Sequence, residues 1–201
     1  GNGPVAAGLR YFFAPAVRGQ VEKEVRAQVE KFLATGLPIS HIDGHLNIHM
    51  HPAVLTMLTR ISFEYGIRAV RLPREPLSVS LRADPRSVAR KRLESVIFSA
   101  LGRYAVPRLA AAGLRYPDQL FGLHASGHVT ETFLLRVLPT LPPGVTEIYT
   151  HASQVDEEAR RWRPGDYECE AELAALTAGS VREALQRFGI AITSYKELAR
   201  S

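Results

Sequence analysis

The chain holds one cysteine, one tryptophan and two methionines in 201 residues. A lone thiol, Cys169, excludes an internal disulfide and suits a reducing compartment. No apolar run approaches the ~20 residues that span a bilayer, and the opening residues lack the charged, apolar and small-residue succession of a secretion signal. A cytoplasmic protein is therefore expected. Recognition-helix, zinc-finger and RNA-binding patterns are missing too, and the arginines are dispersed. No nucleic-acid partner is expected, despite a net charge of +5 and a pI near 9.6. The same charge leaves contact with an anionic membrane surface open.

What is present is the profile of a globular domain, 46% hydrophobic and 22% charged. Val21, Val25, Val29 and Phe32 recur at helical spacing before Gly36 and Pro38, a fitting stop. "ISHIDGH" reads as a strand. Pro52 opens a helix that Gly66 ends, and "IRAVRL" is strand-like. The proline-rich stretch at residues 74–90 reads as a long loop or lid. Asp84-Pro85 reads as a helix start, with the helix running past Leu101. "QLFGLHAS", "VTEIYTHAS" and "IAITSY" read as strands, and "TETFLLRVLPTL" as a helix. Ser180 with Glu183, and Ser194 with Glu197, have the spacing of capping boxes. This alternation predicts an α/β fold with a mainly parallel sheet, in one domain over residues 1–201. Sites in such folds gather where strands end, and His45, Ser126 and His151 all sit at or just after strand ends.

Four of the seven histidines fall within "HIDGHLNIHMH", residues 41–51. Neutral imidazole is the commonest metal ligand. In an extended chain His41, Asp43 and His45 share a face, with His49 and His51 together further on. Asp43 is placed to orient one of these rings. His151 closes "EIYTH" and is a candidate general acid. His124 and His128 flank Ser126, but no G-x-S-x-G elbow supports a serine nucleophile.

These pieces, "SHIDGHLNIHMHP", "VRLPREPL", "FGLHASGHVTE", "TEIYTHAS" and "AITSYKEL", resemble the YdjC/ChbG-type carbohydrate deacetylases. "ATGLPISHIDGHLNIHMHPAV" and the lead-in "YFFAPAVRGQ" resemble the hopanoid-biosynthesis (HpnK) branch. The resemblance implies an irregular (β/α) barrel-like fold and N-deacetylation of an amino sugar, with an N-acetylglucosaminyl hopanoid glycolipid as the expected substrate. It implies a divalent metal ion (Mg, Zn or similar) with His45 as a ligand and Asp43 behind it. His151 is then the general acid, and Arg71, His49, His51 and Ser126 contact substrate.

The family's "ADDFG"-type motif, which supplies a base and a metal-binding Asp, and the "GLH"-type segment after it have no counterpart ahead of "YFFAPAVRGQ". On this resemblance the chain is expected to correspond to a C-terminal portion, incomplete at its N-terminus. Little turnover by the chain alone and pairing of two copies through exposed sheet edges are expected. The competing reading is a non-catalytic metal- or sugar-binding remnant. The basic segment from Val88 to Tyr116 reads as an ordinary helix in preference to an interfacial one.

Overall fold

A computed structural model describes residues 15–162 and 164–200. The first four residues of the "YFFAPAVRGQ" lead-in, 11–14, lie outside the described residues. The fold is α/β, mostly helical with short parallel strands. In chain order the elements are α1 (Pro15–Leu33), a 3-10 segment (His45–Met50), α2 (Pro52–Tyr65), α3 (Leu77–Ala83), α4 (Val88–Ala111) and β1 (Gln119–Phe121). Then follow α5 (Glu131–Val137), β2 (Thr146–Ile148), α6 (Glu157–Trp162), α7 (Cys169–Thr177), α8 (Gly179–Arg187) and α9 (Tyr195–Leu198). The chain divides into two compact units.

Among the described residues the first unit comprises 15–72, Ala100–Tyr116 and 193–200. Three extended segments run parallel within it. Ile42 bridges Val70 and Ala69 bridges Arg115, with Ile42 N–H donating to Ala69 at 2.9 Å and Val70 N–H to Arg115 at 2.9 Å. α2 forms as its sequence predicts. Pro52 occupies the first turn, where no amide donor is required, and Gly66 closes the helix at φ +67°. Its buried residues Val54, Leu55, Leu58 and Ile61 share one face. Leu55 joins Met50, Val70, Leu72, Ala105, Leu109 and Leu114 in the core.

The second unit comprises Pro73–Ser99 and Pro117–Ile192. β1 and β2 pair in parallel, Gln119 opposite Thr146 and Phe121 opposite Ile148. Leu120 N–H adds the Arg74 carbonyl at 3.0 Å on the other side. The core gathers Phe121, Ala125, Val129, Phe133, Leu134, Val137 and Ala175. Gly122 carries φ +110°, and a Cβ there would meet the Tyr149 carbonyl oxygen at 2.3 Å, so glycine is required beside β2.

Several local expectations are corrected. "ISHIDGH" contributes a single bridge at Ile42, and no strand continues past it, since Leu46 and Asn47 adopt left-handed backbone (φ 52° and 57°). Part of the 74–90 stretch is helical, as α3. Asp84 does not open a helix. It follows the end of α3, and α4 starts at Val88. Ser180 donates to Glu131 at 2.5 Å in place of capping α8. The Ser194–Glu197 capping box is present. "IAITSY" is irregular up to Ser194: the Ile190 amide closes the end of α8 onto Leu185 at 2.9 Å, and Ile192 is 83% exposed.

Candidate functional site

In the first unit the His-rich segment is organised by Asp43. Its carboxylate accepts from the Arg71 guanidinium and from Gly44 N–H, and Oδ1 lies 3.6 Å from His49 Nδ1. His49 is 1% exposed, and its Nε2 donates to the Arg71 carbonyl at 3.0 Å. Burial pushes its imidazole below the ordinary range, while the Asp43 carboxylate pulls the other way. Gly44 permits this approach, since a Cβ there would stand 3.0 Å from the His49 amide and 3.1 Å from Nδ1. Thus Asp43, His49 and Arg71 come together, with His49 inside the fold rather than on a pocket wall. His45 is exposed at the start of the 3-10 segment, and half-buried His51 precedes α2. His41 stacks on Tyr195, ring centroids 3.8 Å apart.

In the second unit His151 follows β2 and is an exposed residue. Its backbone N–H donates to the wholly buried Glu172, whose other oxygen accepts Val129 N–H at 2.8 Å. Tyr149 and Tyr167 meet the imidazole edge to face, at centroid distances of 5.8 and 4.8 Å. The Tyr167 hydroxyl and Ser126 Oγ are 2.8 Å apart, so Ser126 and His151 share Tyr167 as a neighbour. His128 Nδ1 lies 3.0 Å from Glu168, and Glu168 N–H donates to the Gly127 carbonyl at 2.8 Å, fastening the two loops.

His124, two residues before Ser126, belongs to a buried polar network. Glu75 accepts Ser80 Oγ–H at 2.5 Å and His124 N–H at 2.9 Å, and the His124 Nδ1 lies 3.2 Å from Glu94. Burial pushes the Glu75 carboxyl above its usual range, against the lowering effect of those two donors. Glu94 moves down. Burial alone would raise it, but the hydrogen bonds to His124 and Arg90 together prevail. Next to this network Lys91 is 0% exposed and donates to Asp84 at 2.7 Å.

Glu75, Glu94, Tyr149, Tyr167 and Glu172 were not singled out by sequence reasoning. Glu172 lies in "CEAELAAL", where nothing separates a buried carboxylate from a solvated one. Glu75 between Arg74 and Pro76 offered the better signal, a carboxylate three residues past the strand-like "IRAVRL".

Among the described residues no three His, Cys, Asp or Glu side chains are grouped to hold a metal ion. Asp43 is engaged by Arg71. The donor set present does not by itself fit a metal, and no reaction step is drawn through one.

The sequence model of YdjC-like proteins matches residues 1–187. A carbohydrate deacetylase of Mus musculus is 29% identical over 195 residues, covering 89% of this chain and 62% of its own length. One of Vibrio vulnificus is 28% identical over 187 residues, covering 89% and 58%. A carbohydrate deacetylase of Brevibacillus brevis is 43% identical over 58 residues, 29% of this chain and 23% of that protein. The chain thus spans about three fifths of the relatives that match along it. In fold it is similar to a crystal structure from Enterococcus faecalis, provisionally described as a cellobiose-phosphate cleavage protein. That likeness has a TM-score of 0.62 at 21% identity, over 90% of this chain and 61% of that one.

Proposed function

The chain belongs to the YdjC-like family, and on that premise we propose that it acts in carbohydrate deacetylation, hydrolysing the acetamide of an N-acetylated amino sugar. The observation that carries this reading is the match, along most of the chain, to proteins named carbohydrate deacetylase. Water adds to the acetamide carbonyl, the C–N bond breaks, acetate departs and the sugar keeps a free amine. His151 is assigned as the acid that protonates the leaving nitrogen. The assignment is supported by its exposed position after β2, its ring held between two tyrosines and its backbone anchored through Glu172. Arg71 offers a cation to sugar oxygens and Ser126 a hydroxyl. His51 is assigned as a further substrate contact, and His49 acts through Asp43.

In the same reading His45 would be one ligand of a divalent ion, which when bound would supply Lewis-acid polarisation of that carbonyl. Its remaining ligands and the base for water are not assigned among the described residues. The substrate proposed is an N-acetylglucosaminyl hopanoid, and contact with a membrane surface and pairing of two copies go with it. No described helix is long and apolar enough to cross a membrane. The chain alone is expected to turn over slowly or not at all.

The test is amine release from N-acetylglucosamine derivatives with added Mg or Zn. The reading expects at most a slow, metal-dependent rate, lost in His151→Ala and His45→Ala. Release indifferent to both substitutions overturns the residue roles. Sugar binding with no release under any metal favours a non-catalytic binding protein, a reading supported by the incomplete ligand set.

A further inference from the structure

The first turns of α4 are amphipathic in the inverted sense. The side toward the protein carries Lys91, 0% exposed, and Glu94, which meets the buried His124 at 3.2 Å. The outward side carries Ala89, Leu93, Val96 and Ile97, spaced i, i+4, i+7 and i+8 and so on one face. Leu93, Val96 and Ile97 are 63%, 69% and 47% exposed. A helix that faces only water does the opposite, turning its charges out and its aliphatic residues in. Scattered exposed apolar residues need no explanation, but an aligned row on a helix that buries its own lysine points to an apolar partner.

The rim of the row identifies the partner's charge. Arg92 borders it on one edge and Arg90 on the other, each about a fifth to a quarter of a turn from its centre line. Arg92 is exposed, and Arg90 is half exposed with its guanidinium on Glu94 at 2.7 Å. The only acid on these turns, Glu94, is already committed to Arg90 and His124. A second copy docked face to face would bring arginine against arginine with no free carboxylate between them, an unfavourable pairing. A surface with anionic groups above an apolar layer suits both parts: arginines meet phosphate oxygens, and the aliphatic row enters the acyl region.

We propose that this face of α4, from Ala89 to Ile97, docks on an anionic phospholipid bilayer with the helix lying in the plane of the interface. The proposal narrows the membrane contact named above to one surface. It is measured without turnover, so deacetylation and docking succeed or fail separately.

The full chain is sedimented with phosphatidylcholine vesicles containing phosphatidylglycerol and with pure phosphatidylcholine vesicles. Binding is expected to the mixed vesicles, weakening as salt rises. Arg92→Gln should weaken it about fivefold, the effect of one basic residue at such a surface. The double variant Val96→Asp, Ile97→Asp should abolish it. Ile192→Asp, at an exposed apolar position outside α4, should leave it unchanged. All these side chains face solvent, so circular dichroism should show an unaltered fold. Absence of binding, equal binding to neutral vesicles, or binding that survives the double aspartate variant would each overturn the proposal. So would a dimer in analytical ultracentrifugation that Val96→Asp dissociates, since the face would then belong to a second copy.

Discussion

The ring of Tyr167 stands 4.8 Å from the imidazole of His151, edge to face, while its hydroxyl lies 2.8 Å from Ser126 Oγ. One side chain thus sets the position of two residues of the proposed site. Tyr167→Phe keeps the ring and loses the hydroxyl, and should cost about 1 kcal/mol. In nuclear magnetic resonance spectra the ring-current shift of the His151 imidazole protons should persist in Tyr167→Phe and vanish in Tyr167→Ala. Loss of the shift in the Phe variant would show that the ring does not hold His151.

Gly127 makes room for that ring. It sits at φ +77°, and a Cβ would lie 2.4 Å from the Tyr167 ring. Gly127→Ala should destabilise by about 2 kcal/mol or more, from backbone strain and the clash together. Gly165→Ala, with no atom within 4 Å of its added Cβ, is the control and should be nearly neutral in urea unfolding.

Glu172 is 0% exposed and accepts two backbone N–H groups, from Val129 and His151. Glu172→Ala leaves both donors buried without acceptors and should cost about 2–4 kcal/mol. Glu172→Gln keeps one acceptor and should cost less. Hydrogen exchange should quicken at the Val129 and His151 amides first. Uniform acceleration over the chain would argue against this local role.

Asp84 neutralises the buried ammonium of Lys91. Asp84→Ala strands that charge and should cost about 3–5 kcal/mol, more than Lys91→Met, which removes it. Burial alone would raise the Asp84 carboxyl, but hydrogen bonds from Arg86 and Lys91 outweigh it and hold the group at about 2. Its folded pKa is depressed, so its contribution is complete above the unfolded value near about 4 and is lost as pH falls through about 2. Acid titration of the unfolding free energy should show that loss in the wild type and not in Asp84→Ala.

Glu75 has the opposite sign. Burial raises its folded pKa, so its contribution is complete below the unfolded value of about 4.3 and declines as pH rises through the folded one. Glu75→Gln removes the buried charge, and the Ser80 hydroxyl can turn to accept from the new amide while donating to the Pro76 carbonyl, 3.2 Å away. The variant should match or exceed the wild type in thermal stability near neutral pH, with the gap closing below about pH 4. A lower melting temperature at every pH would overturn this account.

Sequence alone determined what local rules can carry. Pro52 and Gly66 bound α2, Ser194 and Glu197 cap α9, and the strand–helix alternation carries the α/β class. The His-rich segment and "EIYTH" were legible as places of interest because imidazoles clustered beside a carboxylate, and one at a strand end, are unusual. Only the tertiary structure decided their partners. Asp43 turns to Arg71, 28 residues away, and His151 hangs from Glu172, 21 residues on. Residues 39–45 look like a strand, yet Ile42 makes a single bridge, and consecutive left-handed residues follow at Leu46 and Asn47. The burial of Glu172 is set by backbone N–H groups at Val129 and His151, far along the chain, and that of Lys91 by Asp84 beyond the start of its own helix, because a charge is tolerated inside only where another group meets it.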